Sequence, residues 1–337
     1  MSIESLQQIL KDKNKDFGLV KLETPLSLNL YKKYLDQGYH GEMKYLETQL
    51  DQKEKPQKLL STAKSAIVIR RDYLPHPYPT SLPNLKMAAY AKGEDYHFWF
   101  KKEMNELIEV LKVHFPKDDF VCFTDSSPVM ERDLAYRAGL GWVGKNSCLI
   151  SPQKGSFFFI GEIYTSIDIG THKEVLVPDR CGTCTRCIDA CPTNAINDER
   201  TLDATKCISY LTIEAKEAPP LELRDKLNGW YFGCDICQNV CPWNQKAFGK
   251  DFFIEAPIHK VELEENLRTI LSASNRQIEK IFATSALLRA GPTAHRRNAI
   301  LLAVEHQFKD LLEVIIPLGE RFSKLTELVE WAKVKLT

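Results

Sequence analysis

Seven of the ten cysteines fall into two runs whose spacing suits an iron-sulfur cluster rather than a disulfide framework, and an eighth lies between them. In Cys181-x2-Cys184-x2-Cys187-x3-Cys191-Pro192, three closely spaced thiolates wrap corners of one 4Fe-4S cubane and the fourth reaches across to a second. A shorter run, Cys234-x2-Cys237-x3-Cys241-Pro242, lacks one leading cysteine, and Cys207 upstream is the candidate for the missing corner. By the crossing rule Cys181, Cys184, Cys187 and Cys241 serve one cluster, and Cys191, Cys207, Cys234 and Cys237 the other. A pair of structural zinc sites is the alternative, although zinc ribbons rarely use a CxxCxxCxxxCP run. Cys122 and Cys148 lie outside the pattern and are expected to be buried free thiols.

Two cubanes in tandem pass single electrons but do not themselves transform an organic substrate, so a second redox centre or a substrate site is expected in the residues before them. From Ser2 to about Gly170, amphipathic helical stretches alternate with strand candidates at Ser65 to Ile69 and Ser156 to Ile160, which reads as an α/β (α+β) domain. Asp95 to His114 and Ser127 to Ala138 are predicted helices. A ferredoxin-like two-cluster module follows. Beyond about Pro257, Leu263 to Leu336 reads as a small helical domain with a capping box at Ser274 and Gln277 and a break at Gly291-Pro292. Its helix pairs suit an α-solenoid (HEAT-like) unit, with no repeat clear enough to establish one. The expected division is 1–172, 173–256 and 257–337.

The chain has 337 residues, 44% apolar and 27% charged, enough for a substantial core. Lys+Arg and Asp+Glu balance at 45 each, so any nucleic-acid contact must come from local patches rather than a global field. Between Met1 and Leu19, Ile3, Leu6, Ile9 and Leu10 follow helical spacing and not the continuous apolar stretch of a signal peptide. A cytoplasmic protein with no membrane partner is expected.

Three segments of the first domain carry chemistry-bearing side chains. Gly93-Glu94-Asp95-Tyr96-His97 sets a carboxylate and an imidazole near a helix start; Thr124-Asp125-Ser126-Ser127-Pro128 sets another acid before a helix. Taken locally, each acid reads first as a helix cap or first-turn charge. Arg137 to Asn146 holds Gly139, Gly141 and Gly144, whose backbone can approach a flat ligand or phosphate, yet it is neither a Walker loop nor a GxGxxG fingerprint.

Together, Tyr90 to His97, Thr124 to Pro128, Arg137 to Asn146, Gly155-Ser156-Phe157-Phe158-Phe159 and the cysteine runs resemble the epoxyqueuosine reductase family. Cys207 to Thr212, Tyr231 to Gln238, Tyr39-His40-Gly41-Glu42-Met43 and Arg296-Arg297-Asn298-Ala299 extend the likeness over most of the chain. The resemblance implies a cobalamin (B12) between the first domain and the cluster module. It also implies reduction of the epoxide of epoxyqueuosine to the alkene of queuosine at the tRNA wobble position, the last step of queuosine biosynthesis. Electrons from a low-potential donor of flavodoxin or ferredoxin type would pass through the cubanes and reduce cobalt to Co(I).

In this reading Asp125 matches the family's proton donor, which calls for burial to raise its pKa, and Asp95 and His97 match pocket residues. Ala88, Asp125, Leu149, Ile160 and Ser209 match cobalamin contacts. Phe100 stands where a DxHxxG cobalamin motif has glycine, so His97 is not read as the lower cobalt ligand. Arg289, His295, Arg296 and Arg297 are candidate phosphate contacts, with a solvated helix face as the bland alternative. A monomer is expected. Two other readings stay open: a related corrinoid reductase such as a dehalogenase, and a plain electron-transfer protein.

Overall fold

The computed structural model describes residues 3–13, 15–73, 82, 84–170, 172–197, 200–253 and 258–337. The predicted division at 256/257 lies outside the described residues.

The first part runs through α1 (Ile3–Asp12), β1 (Asp16–Lys21), α2 (Leu28–Asp36), α3 (Tyr45–Thr48), α4 (Leu50–Glu54), β2 (Ser65–Asp72), β3 (Lys86–Met87), α5 (Tyr96–His114), β4 (Phe120–Phe123), α6 (Glu131–Arg137), β5 (Trp142–Val143), β6 (Leu149–Ile150) and β7 (Phe158–Thr165). Four strands form an antiparallel sheet in the order β1-β2-β7-β4. β2 reads as a continuous apolar run because both faces of the sheet are covered. Ile67 and Ile69 pack with α1 and α5 on one face, while Ala66 and Val68 pack with α6 on the other. The strand candidates at 65–69 and 156–160 are therefore real, the second beginning two residues later and running to Thr165.

Helix α5 begins one residue after its predicted start, since Asp95 is its cap and accepts the His97 N–H at 3.0 Å. Helix α6 is shorter than the 127–138 expected and starts only at Glu131. Pro128 disfavours helical geometry at Ser127, and Asp125 sits in the left-handed region with φ +48°.

The cluster module contributes α7 (Arg186–Asp189), α8 (Ile208–Ile213), α9 (Leu221–Arg224), β8 (Trp230–Phe232), α10 (Ile236–Asn239) and α11 (Pro242–Phe248). It is tied to the first part by a parallel pairing of β3 with β8. A second seam is polar: fully buried Asn244 takes the Ser156 N–H at 2.6 Å and donates to Ser156 Oγ at 2.9 Å and to the Gln238 carbonyl at 2.8 Å. Gly155, at φ +67°, permits this approach, because a Cβ there would lie 2.0 Å from Asn244 Oδ1.

Five α-helices follow: α12 (Lys260–Ser272), α13 (Asn275–Ile281), α14 (Gly291–Glu305), α15 (Leu312–Arg321) and α16 (Thr326–Leu336). The Ser274–Gln277 capping box is formed, and Gly291-Pro292 opens α14. Every side chain of α14 from Ala294 to Val304 is buried, as expected for a helix enclosed on all sides. One hydrophobic core joins these helices to Ile208 and Leu211 of α8, to β8 and to Met87 and Ala88. Among the described residues no helix is long and apolar enough to cross a membrane.

That enclosure corrects the reading of His295, Arg296 and Arg297 as phosphate contacts. All three are at most 1% exposed. Arg296 binds Asn275 Oδ1 at 2.7 Å and the Ala273 carbonyl at 2.6 Å, and Arg297 donates to the Ala215 and Glu217 carbonyls. Asn298 spans the carbonyls of Thr212 and Tyr231. Arg297 and Asn298 thus fasten α14 to the cluster module, while Arg296 ties it to the junction of α12 and α13.

Candidate active site

The start of α5 and the loop after β4 bring the three predicted catalytic side chains into one line. His97 Nδ1 lies 2.6 Å from Asp95 Oδ1, and Nε2 lies 2.8 Å from Asp125 Oδ2. Two carboxylates accept only, so both ring nitrogens are called on to donate, which favours the imidazolium. Burial by itself would push the His97 pKa down, but its hydrogen bonds to Asp125 and Asp95 raise it. Burial by itself would lift Asp125, but the His97 hydrogen bond and charge, and then the Tyr96 hydroxyl, hold it below the usual carboxylate range. The expected upward shift of Asp125 is thus reversed. The geometry favours holding on His97 the proton that Asp125 was expected to carry.

The Asp125 loop is fixed from both sides. The Thr124 hydroxyl donates to the Ile160 carbonyl at 3.0 Å, and the Asp125 N–H donates to the Glu131 carboxylate. The Asp125 carboxylate is 51% exposed. Tyr96 stacks on His97 and on Phe159, each with ring centroids 4.1 Å apart, and meets Tyr90 edge-on. Tyr45 carries the Arg289 guanidinium 5.7 Å above its ring, and Arg289 pairs with Glu214 at 2.9 Å. Of the four proposed phosphate contacts, Arg289 alone sits at this wall, where its charge acts on Asp125. Tyr31 and Tyr34 stack near Tyr45 and Arg132, and Tyr34 also senses the Cys207 thiol.

Behind the loop lies a buried ionisable group that spacing alone did not disclose. Glu162 is fully buried on the α6 face of β7, opposite Phe123 in the register, and both its carboxylate oxygens lack a hydrogen-bond partner among the described residues. Burial, with Glu131 next, raises its pKa well above normal. Glu131 is pushed up to about 8 by burial and then by the Asp125 charge. Lys53 reaches the Val129 carbonyl at 3.2 Å, and burial lowers its pKa. A lone acid within the apolar run Phe158 to Thr165 was the available signal for Glu162.

The cysteines gather into the two expected quartets. Cys181, Cys184, Cys187 and Cys241 line one cavity of about 280 Å³. Burial first, and then Cys207 and Cys191, act on the Cys234 thiol; Cys237 is acted on by Cys234 and Cys207. Backbone N–H groups of Ser209 and Tyr210 point at Cys207, those of Trp243 and Asn244 at Cys241, and that of Ala195 at Cys191 at 3.3 Å. Trp142 Nε1 donates to Cys181 Sγ at 3.4 Å. Donors of this kind stabilise thiolates and tune cluster potential. Among the described residues no three His, Cys, Asp or Glu side chains converge on a point as a single metal ion requires; a cubane does not ask for that, since each iron takes its own thiolate.

Cys122 is a buried thiol as expected, but Cys148 is only half-buried and hydrogen-bonds with Cys237, so it belongs to the edge of the second quartet. Among the proposed cobalamin contacts, Ile160 lies beside Asp125 through Thr124, and Ser209 lies beside Cys207. Ala88 is held by the Phe232 carbonyl at 2.8 Å and packs on Gly233. Leu149 is buried next to Cys148. Tyr90 links the two sides, its ring meeting Tyr96 beside Asp125 and Phe232 beside the Gly233–Cys234 turn.

Residues 180–244 match the family profile described as a 4Fe-4S double cluster binding domain, and residues 53–126 match the one described as Epoxyqueuosine reductase QueG, DUF1730. Epoxyqueuosine reductase of Cyclobacterium marinum is 42% identical over 266 residues, covering 79% of this chain and 84% of the relative. The chain belongs to the epoxyqueuosine reductase family. The Escherichia coli member is 36% identical over 308 residues, or 89% of this chain and 80% of that one. In structure, an epoxyqueuosine reductase crystallised with an epoxyqueuosine-modified tRNA-Tyr stem loop superposes with a TM-score of 0.83 at 26% identity, covering 99% of this chain and 90% of that chain. The Bacillus subtilis epoxyqueuosine reductase, captured with its catalytic loop swung out of the active site, gives 0.81 at 28% identity with the same coverage.

Proposed function

We propose that this protein reduces the epoxide of epoxyqueuosine in the tRNA wobble nucleotide to the alkene of queuosine, with cobalamin and two 4Fe-4S clusters. The observation that carries the reading is the Asp95–His97–Asp125 line, a proton source at one end of the aromatic rings that run through Tyr90 to Phe232. Deoxygenation consumes two electrons and two protons, and the oxygen leaves as water. A corrin fits there because flat rings and small groups, with few charges, run from Asp125 to the Gly233–Cys234 turn. Ala88, Leu149, Ile160 and Ser209 are the residues that would hold it. Reduced cobalamin supplies the electron pair.

The protein's own groups handle the proton. Asp95 orients the imidazole, and His97 stores one proton on Nε2 and, partly exposed, takes up the second from solvent once the first has passed. Asp125 passes it to the epoxide oxygen, and the Tyr96 hydroxyl fixes the carboxylate. Arg289 and Tyr45 border the opening through which the nucleotide enters. The enzyme acts as a cytoplasmic monomer on tRNA.

The test is anaerobic reconstitution with iron, sulfide and cobalamin, a strong reductant, and mass spectrometry of nucleosides from epoxyqueuosine-containing tRNA. Queuosine that forms only with added cobalamin is the expected result. No conversion with clusters and cobalamin verified in place would overturn the substrate, and failure to bind cobalamin would leave an electron carrier.

A further inference from the structure

The two quartets are placed differently with respect to the surface. The inner one, through Cys234, adjoins the Tyr90 and Phe232 rings that lead to Asp125. The outer one lines its own cavity, whose rim carries Lys145, Arg180, Arg186, Lys246 and Trp243 and no acidic side chain. Among the described residues none of these four cations is in an ion pair. The carboxylates next to them in sequence are otherwise engaged: Asp179 binds Arg200 at 2.5 Å and caps the Cys181 N–H at 2.9 Å, and Asp189 takes the Thr185 hydroxyl at 2.7 Å. Arg180 and Lys246 both flank the Trp243 ring, at 5.8 and 5.3 Å from its centroid. Trp243 in turn packs edge-on against Trp142, which donates to Cys181.

In a chain of zero formal net charge, four uncompensated cations around one redox cavity form a local positive field. Such a field steers an acidic partner and speeds encounter. Tryptophan and arginine at the centre of the patch are the residue types that anchor protein interfaces. An RNA would also meet positive charge. Its wobble nucleotide, however, must reach Asp125, whose surrounding groups His97, Tyr96 and Arg289 include none of the residues that line this cavity.

We propose that the rim of the outer quartet docks a small acidic one-electron carrier protein of flavodoxin or ferredoxin type. Each encounter oxidises the carrier by one electron and reduces the outer cluster by one, so two encounters supply the pair that the epoxide consumes. The inference rests on the redox reading given above.

The test uses cluster- and cobalamin-loaded protein with Arg180→Glu and Lys246→Glu combined, and separately Arg180→Gln with Lys246→Gln. Anaerobic stopped-flow absorbance follows cluster reduction by a reduced acidic flavodoxin, and photoreduced deazaflavin serves as a small reductant needing no docking face. At low salt the charge-reversed protein should be reduced by flavodoxin about tenfold more slowly or worse, with the neutral variant between. The wild-type rate should fall as salt is raised while the reversed variant's stays flat. Iron content and deazaflavin reduction should be unchanged in both. Equal flavodoxin rates for wild type and reversal would overturn the proposal, as would a loss confined to tRNA affinity, which would make the rim an RNA surface. If wild type reduced by deazaflavin fails to convert tRNA, the substrate reading fails while the docking result stands by itself.

Discussion

The backbone N–H of Asp125 donates to the carboxylate of Glu131, six residues further along the chain. This contact holds a non-glycine residue at φ +48°, a conformation that costs free energy and persists only when neighbours enforce it. Glu131→Gln keeps an acceptor for that N–H, whereas Glu131→Ala removes it. The alanine variant should lose turnover by roughly 10- to 100-fold with cluster and cobalamin content unchanged, and the glutamine variant should retain most of it. Steady-state assay with metal analysis checks this; equal activity in both variants would remove any positioning role for Glu131.

Asp125→Asn should leave both clusters and cobalamin binding intact and lower turnover by about 100- to 10,000-fold, the range of a lost general acid. An active Asn variant would sink the assignment. Because the proton is stored on His97 and its pKa is raised above 6.5, the rate should hold as pH rises past that value and decline only above the raised pKa. His97→Asn should abolish this alkaline limb. A pH profile unchanged by the substitution would place the proton store elsewhere.

Acid stability has a separate origin in the interior. His295 accepts the Tyr231 hydroxyl at Nδ1 and donates from Nε2 to the Leu287 carbonyl. Burial, the largest cause, lowers its pKa to about 4. The folded pKa lies below the unfolded one, so this histidine's contribution is complete above pH 6.5 and is lost as pH falls toward the folded value. The loss should be about 2 kcal/mol between pH 6.5 and 5. Urea unfolding across that interval reads it, and the paired change His295→Phe with Tyr231→Phe should flatten the dependence. An equally steep slope in that double variant would contradict the assignment.

Arg297→Met should lower stability by about 3 kcal/mol by orphaning the Ala215 and Glu217 carbonyls, whereas Arg289→Ala should spare the fold and weaken substrate use. Thermal unfolding and the salt dependence of tRNA binding separate the two. An unchanged melting midpoint in Arg297→Met, with a salt slope smaller by about one, would restore a phosphate contact at Arg297.

The cluster ligands were legible because ligation by a short loop is written in local spacing. The capping box at Ser274 was legible for the same reason. Asp95 and His97 are two residues apart, but nothing local says that Asp125, on another strand's end, completes their line. The direction of the Asp125 shift was misjudged because burial is suggested by apolar neighbours in sequence, whereas the donors that outweigh it come from α5. Arg296 and Arg297 read as surface cations since charge usually marks exposure. Only the packing of α14 on all sides shows their hydrogen bonds to distant carbonyls. Glu162 and Glu131 meet through the register of β7 against β4 and the placement of α6, which no window of sequence contains.

The core shared by β3, α8, β8 and α14 also bears on how the chain folds. Its members run from Leu82 to Leu336, so no early stretch of sequence can complete it. Contacts of such separation form slowly, because loop closure precedes any gain from packing. Iron and sulfide are therefore expected to reach the inner cysteines at 207, 234 and 237 before α14 docks, an order that pulsed alkylation of those thiols during refolding would read.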